Sequence, residues 1–127
     1  MPDKQVYEYA IVRFYPKVER GECMNVGVVL FCKAMRFLGF RYAVDENKFS
    51  SFSKHHTLEE VKQNLDAFQK IVRSEKDSGL IGEQDMAARF RWLTAKRSTI
   101  IQASEIHPGY TENPEKTLDR IFEEMVL

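Results

Sequence analysis

Between residues 13 and 30 the chain sets Glu19, Arg20, Gly21, Glu22 and Asn25 between two apolar runs, Phe14-Tyr15 and Val26-Gly-Val-Val-Leu30, with Arg13 just ahead of the first. A loop held between paired strands is rigid enough to aim polar side chains. Two chemistries are open to it. Arg20 can offer a planar guanidinium fork to a carboxylate or phosphate while the glutamates orient it. Alternatively, Glu19 and Glu22, with Asp45, supply carboxylates to a divalent metal or to acid/base work, as in a small hydrolase or nuclease-like enzyme. The plainer alternative is a solvated hairpin turn, in which Gly21 takes a positive φ and the charges pair locally. Asn25, at a strand start, either orients a bound group or bonds to nearby backbone.

A second set lies further along. Arg89, Arg91, Lys96 and Arg97 place four positive charges within nine residues, and Ser98 and Thr99 add hydroxyl donors. If the loop at 16–23 meets the segment at 97–99 at one end of a sheet, Arg13, Arg20, Glu22, Asn25, Arg97, Ser98 and Thr99 form a shallow anion site. The competing expectation turns these cations toward an acidic last helix, where Glu115, Asp119, Glu123 and Glu124 outnumber Lys116 and Arg120. Trp92 beside Arg91 suggests a cation–π or base-stacking role, weighed against simple core packing. His55, His56, His107 and Cys23 lack metal-ligand spacing, and His107 before Pro108-Gly109 reads as a turn residue. There is no G-x-S-x-G and no glycine-rich phosphate loop. The sequence therefore assigns no catalytic residue, no metal and no cofactor.

Composition narrows the setting. The 127 residues, 43% hydrophobic and 30% charged, suit a single globular domain over 1–127 and argue against disorder. Nineteen basic residues balance nineteen acidic ones, so no global field draws the chain to nucleic acid or to an anionic membrane. The longest apolar run, Val26 to Cys32, is too short to cross a bilayer, and Met1-Pro-Asp-Lys4 has no signal-peptide character. The expected location is the cytoplasm. Cys23 and Cys32, without a C-x-x-C pairing, fit reduced thiols.

The elements that must position these residues follow from periodicity. Residues 5–15 alternate with period two and are partly apolar on both faces, which predicts a central strand. Two more strands are expected over 24–33 and 36–44, turning at Ala34-Met35. That register sets Val29 opposite Phe40 and Gly27 opposite Tyr42, with the glycine as the gap under the aromatic ring. It also puts Asn25 on the Tyr42 face and Arg41 on the other, beside Val28. Residues 45–56 read as a loop or short helix. Thr57-Leu-Glu-Glu60 is a capping box opening a helix through Leu58, Val61, Leu65, Phe68 and Val72. Leu80-Ile81, between glycines, suggests a buried anchor or a minimal strand. A helix over 83–96 carries Met86, Phe90 and Leu93 inward, and 99–103 reads as a strand. Asn113-Pro114 caps a last helix with the stripe Leu118, Ile121, Phe122 and Met125. The sum is an α+β fold of order β-β-β-α-α-β-α. Its antiparallel sheet has about four strands, a three-stranded meander plus one later strand, and about three helices cover mainly one face.

Tyr9-Ala-Ile-Val-Arg13, Pro16, Glu19-Arg20-Gly21-Glu22 and Asn25-Val-Gly-Val-Val-Leu30 resemble the opening of the bacterial domain of unknown function family 3037. Arg89-Phe-Arg-Trp92-Leu, Arg97-Ser-Thr99-Ile-Ile-Gln102, Ser104, His107-x-Gly109 and Asn113-Pro114 are similar to its C-terminal pattern. The resemblance implies a small bacterial cytosolic protein of unknown biochemical activity, and a protein partner such as a toxin-type Ser/Thr kinase. Two function classes stand at this point. One is a non-catalytic binding or accessory module whose arginine-rich sheet edge holds a phosphate-bearing ligand or a partner. The other is the metal-dependent enzyme using Glu19 and Glu22.

Overall fold

The period-two pattern of the first residues becomes strand β1, Gln5–Phe14, and its two apolar faces place it inside the sheet. The computed structural model describes residues 3–17, 20–52, 56–97 and 99–127. Strands β2, Met24–Cys32, and β3, Phe37–Tyr42, complete an antiparallel meander. Two further strands, β4 at Ile101–Ala103 and β5 at His107–Thr111, both pair with the free side of β1. The order is β3-β2-β1-β4, with β5 continuing the β4 edge.

Strand β5 is the addition to the expected four strands. Pro108 and Gly109 hide it from a reading by propensity, yet an edge strand tolerates a proline because it need not donate on both sides. Gly109 also has a packing reason. It pairs with Tyr7, and a side-chain carbon there would lie 2.5 Å from the Tyr7 ring. From Val12↔Ala103 to Tyr9↔His107 the register takes three steps along β1 and four along the edge. The surplus residue is absorbed at Ser104–Ile106. There the Ser104 amide donates to the Ile11 carbonyl at 2.8 Å, and the Ser104 hydroxyl oxygen accepts the Ile11 amide at 2.8 Å.

The helices are α1, Glu46–Phe52; α2, Leu58–Val72; α3, Gly79–Gly82; α4, Met86–Thr94; and α5, Pro114–Met125. As expected, most of them, α1, α2 and α4, pack on one sheet face, and α5 covers the other. Ala10, Val12, Phe14, Phe31 and Phe40 pack against Val61, Leu65, Phe68, Phe90 and Leu93 of α2 and α4. Tyr7, Ile11, Val28, Leu30 and Cys32 pack against Leu118 and Ile121 of α5. The nearly continuous apolar run of β2 is what burial on two faces requires. It follows that the α4 cations and the acidic α5 are separated by the sheet. Arg41 of β3 is the cation that meets α5, 2.8 Å from Asp119 and 3.7 Å from Glu115.

Local signals account for the helix ends. Thr57 Oγ1 accepts from the Glu60 amide, but the Glu60 carboxylate leaves the capping box for His56 Nδ1, 2.6 Å away. Asp85 caps α4 by accepting from Ala88, and Asn113 caps α5 by accepting from Lys116. Leu80 is 79% exposed within the single turn of α3, so it anchors nothing. Arg89, 7% exposed, instead ties this region down, with its Nη atoms donating to the Gln84 and Val72 carbonyls.

The meander register is the expected one, with Gly27↔Tyr42 and Val29↔Phe40. The ring over Gly27 is that of Phe40, not Tyr42: a side-chain carbon there would lie 2.7 Å from Phe40 and 2.8 Å from the Arg41 carbonyl. Toward β1 the ladder slips, from Val12↔Gly27 to Arg13↔Asn25, leaving Val26 as the extra residue of a β-bulge. The bulge reverses the facing of what precedes it. Met24 and Val26 join the α2/α4 core, and Asn25 turns to the α5 face instead of the Tyr42 face.

Candidate anion-binding cleft

On the α5 face of the sheet, the far end of β1 and the adjoining β4 edge lie past the core that α5 makes with Tyr7 and Ile11. A cleft of about 440 Å³ opens there, lined by Arg13, Tyr15, Lys96, Gln102, Glu105 and His107 among others. Strand period and register bring them together. Arg13 and Tyr15 are two residues apart on β1 and its extension, and Gln102 is the cross-strand partner of Arg13. Tyr15 is held by its amide, which donates to the Ile100 carbonyl at 2.7 Å. His107 rests on Tyr9, with ring centroids 5.3 Å apart.

The bulge gives Arg13 its support. Its Nε donates to Asn25 Oδ1 at 3.3 Å, and Asn25 Nδ2 donates to the Met125 carbonyl at the end of α5, at 2.9 Å. This chain of bonds holds the guanidinium from one side and leaves its terminal nitrogens without a protein partner among the described residues. Such a fork is what a carboxylate or phosphate needs. Gln102 is oriented likewise, with Nε2 donating to the Thr99 carbonyl at 2.8 Å and Oε1 left as an acceptor.

The other candidates occupy separate arrangements. Arg20 pairs with Glu22 at 2.6 Å in the solvated hairpin, next to Gly21 at φ +73°. Arg97 stacks over the Trp92 ring, 3.8 Å from its centroid, and donates to the Trp92 carbonyl. Burial pushes the Arg97 guanidinium below its ordinary value, though such a group stays charged at neutral pH. The stacking partner of Trp92 is thus Arg97 rather than Arg91, and at 39% exposure the indole is not a core residue. Thr99 Oγ1 bonds the Ile101 carbonyl, and Asp45 caps α1 by accepting from Asn47 and Lys48. Glu19, Ser98 and His55 lie outside the described residues. Among the described residues no three His, Cys, Asp or Glu side chains are grouped to hold a metal, and Cys23 and Cys32 are free.

The model of the family described as "protein of unknown function (DUF3037)" matches residues 9–126 of the 127. The chain belongs to this family. No curated protein and no solved structure is significantly similar to it. The family match takes in every side chain of the cleft. Among the described residues no helix is long and apolar enough to cross a membrane.

Tyr15 and Glu105 are cleft residues that the reading of the sequence did not single out, and Gln102 entered it only within the family's pattern. The period of β1 implicates Tyr15 once Arg13 is taken as functional. Nothing in the sequence paired Gln102 with Arg13, because its place depends on the register of β4 against β1.

Proposed function

We propose that this DUF3037 protein is a non-catalytic binding or accessory module that holds a phosphate-bearing group at Arg13. The observation that carries this reading is the guanidinium anchored through Nε by Asn25, its other nitrogens without a protein partner among the described residues, in a cleft that Lys96 also lines. A phosphorylated partner protein, such as the toxin-type Ser/Thr kinase that the family resemblance suggests, is one source of that group. The Arg20–Glu22 pair is already neutralised and more than half exposed, which favours Arg13 as the centre.

Thermal unfolding with inorganic phosphate tests the reading. Phosphate raises the melting temperature by mass action, and added sodium chloride diminishes the shift. Arg13→Ala abolishes the shift, Asn25→Ala reduces it, and Arg20→Ala preserves it. A shift that survives Arg13→Ala, or none in the unaltered protein, refutes the assignment.

A further inference from the structure

Resting on that anion-binding reading, we infer that the ligand of the cleft is a nucleoside monophosphate, with its base on Tyr15 and its phosphate on Arg13 and Lys96. Three features of the cleft ask for more than a bare phosphate. The first is an aromatic ring at phosphate-to-base distance. Tyr15 is one strand period from Arg13, which is roughly 6–7 Å along an extended chain. The Tyr15 ring is half-buried, lines the cleft and has no ring partner among the described residues. A half-buried ring beside an anion site is a platform on which a base stacks.

The second feature is Gln102. Its amide nitrogen is committed to the Thr99 carbonyl, so the side chain cannot flip freely and presents Oε1 as an acceptor. An acceptor fixed diagonally across from Tyr15 suits the exocyclic amine of a stacked base. The third is Glu105, a carboxylate in a cleft otherwise rich in cations. Placed against a second phosphate it would repel, but ribose hydroxyls donate to a carboxylate. Two cations, one ring, one fixed amide and one carboxylate match one phosphate, one base and one diol. The volume of about 440 Å³ lies within the range of small-molecule sites. The balanced charge of the chain, nineteen against nineteen, argues against a long polyanion.

Calorimetric titration of the full chain with adenosine monophosphate, ribose 5-phosphate and adenosine decides the matter. Adenosine monophosphate is expected to bind roughly tenfold or more tightly than ribose 5-phosphate, the gain of one stacked base. Tyr15→Ala brings the two to equal affinity, while Tyr15→Phe keeps the preference and controls for folding. Arg13→Ala weakens both phosphates and leaves adenosine unchanged. Equal binding of the two phosphates by the unaltered chain overturns the nucleotide inference and leaves the anion reading standing. Binding of adenosine as tight as its phosphate overturns both, as does binding of neither phosphate.

Discussion

Gly27 and Ser104 each resolve a local conflict that the sheet creates. At Gly27 the Phe40 ring and the Arg41 carbonyl occupy the space a side chain would need, and neither can withdraw without disturbing β3. Gly27→Val is expected to cost about 1–3 kcal/mol by overpacking. Urea unfolding measures it, and an unchanged midpoint would show that the ring is free to move. Ser104 stands where the edge of the sheet changes register, and its hydroxyl takes the Ile11 amide that no strand carbonyl reaches. Ser104→Ala leaves that buried donor unpaired, at a cost of about 1–3 kcal/mol. Amide exchange at Ile11 should accelerate relative to Val12 in the same variant, which separates a lost bond from general loosening.

At the scale of the element, α2 depends more on its buried face than on its cap. Val61, Leu65, Phe68 and Val72 are buried along one stripe, and Phe68 meets the Phe40 ring at 4.5 Å. Phe68→Ala should cost about 3–5 kcal/mol and Thr57→Ala about 1 kcal/mol, a difference chemical denaturation resolves readily. Equal, negligible losses would mean that the helix does not pack there. From the last turn of the helix, Lys70 donates to Asp77, beyond its end, at 2.8 Å. That bond raises the lysine above its ordinary value and lowers the aspartate below its own. The aspartate's contribution is thus present above the ordinary carboxylate value and lost as pH falls through the lowered one. The lysine's is present below the ordinary ammonium value and lost as pH rises through the raised one. Asp77→Asn should shift the melting temperature slightly at neutral pH and not at all once acid has protonated the native aspartate.

For the whole molecule, the question is what holds a sheet with two covered faces together. The α5 side rests on a small core, in which Leu118 lies close over Gly39 and packs with Ile121 against Val28 and Leu30. Charge reinforces it only at the rim, through the half-exposed Arg41–Asp119 pair. Leu118→Ala is expected to cost about 2–5 kcal/mol and Arg41→Ala under about 1 kcal/mol. If Arg41→Ala proves the more damaging, electrostatics rather than burial fixes α5. The same helix reaches the cleft, because its last carbonyl receives Asn25, the side chain that steadies Arg13. Loosening α5 should therefore weaken phosphate binding before the protein unfolds.

Period and capping chemistry are local, and the sequence by itself determined what they control: the meander and the register of β3 on β2, the helix at 58–72, a helix expected over 83–96 that runs over 86–94, and the Asn113-Pro114 start of α5. The family was legible too, in motifs spread along nearly the whole chain. What escaped was set by partners distant in sequence. An edge strand containing Pro108 exists because β1 offers it a ladder, and α5 takes the second face because β1 and β2 are apolar on both. Most consequential was the surplus residue at Val26, since a single bulge exchanges the faces of everything before it. Arg13 and Asn25 were recognisable as candidates by type. That they face one another, with Gln102 and Tyr15 alongside, was decided only when three strands fixed their registers against each other.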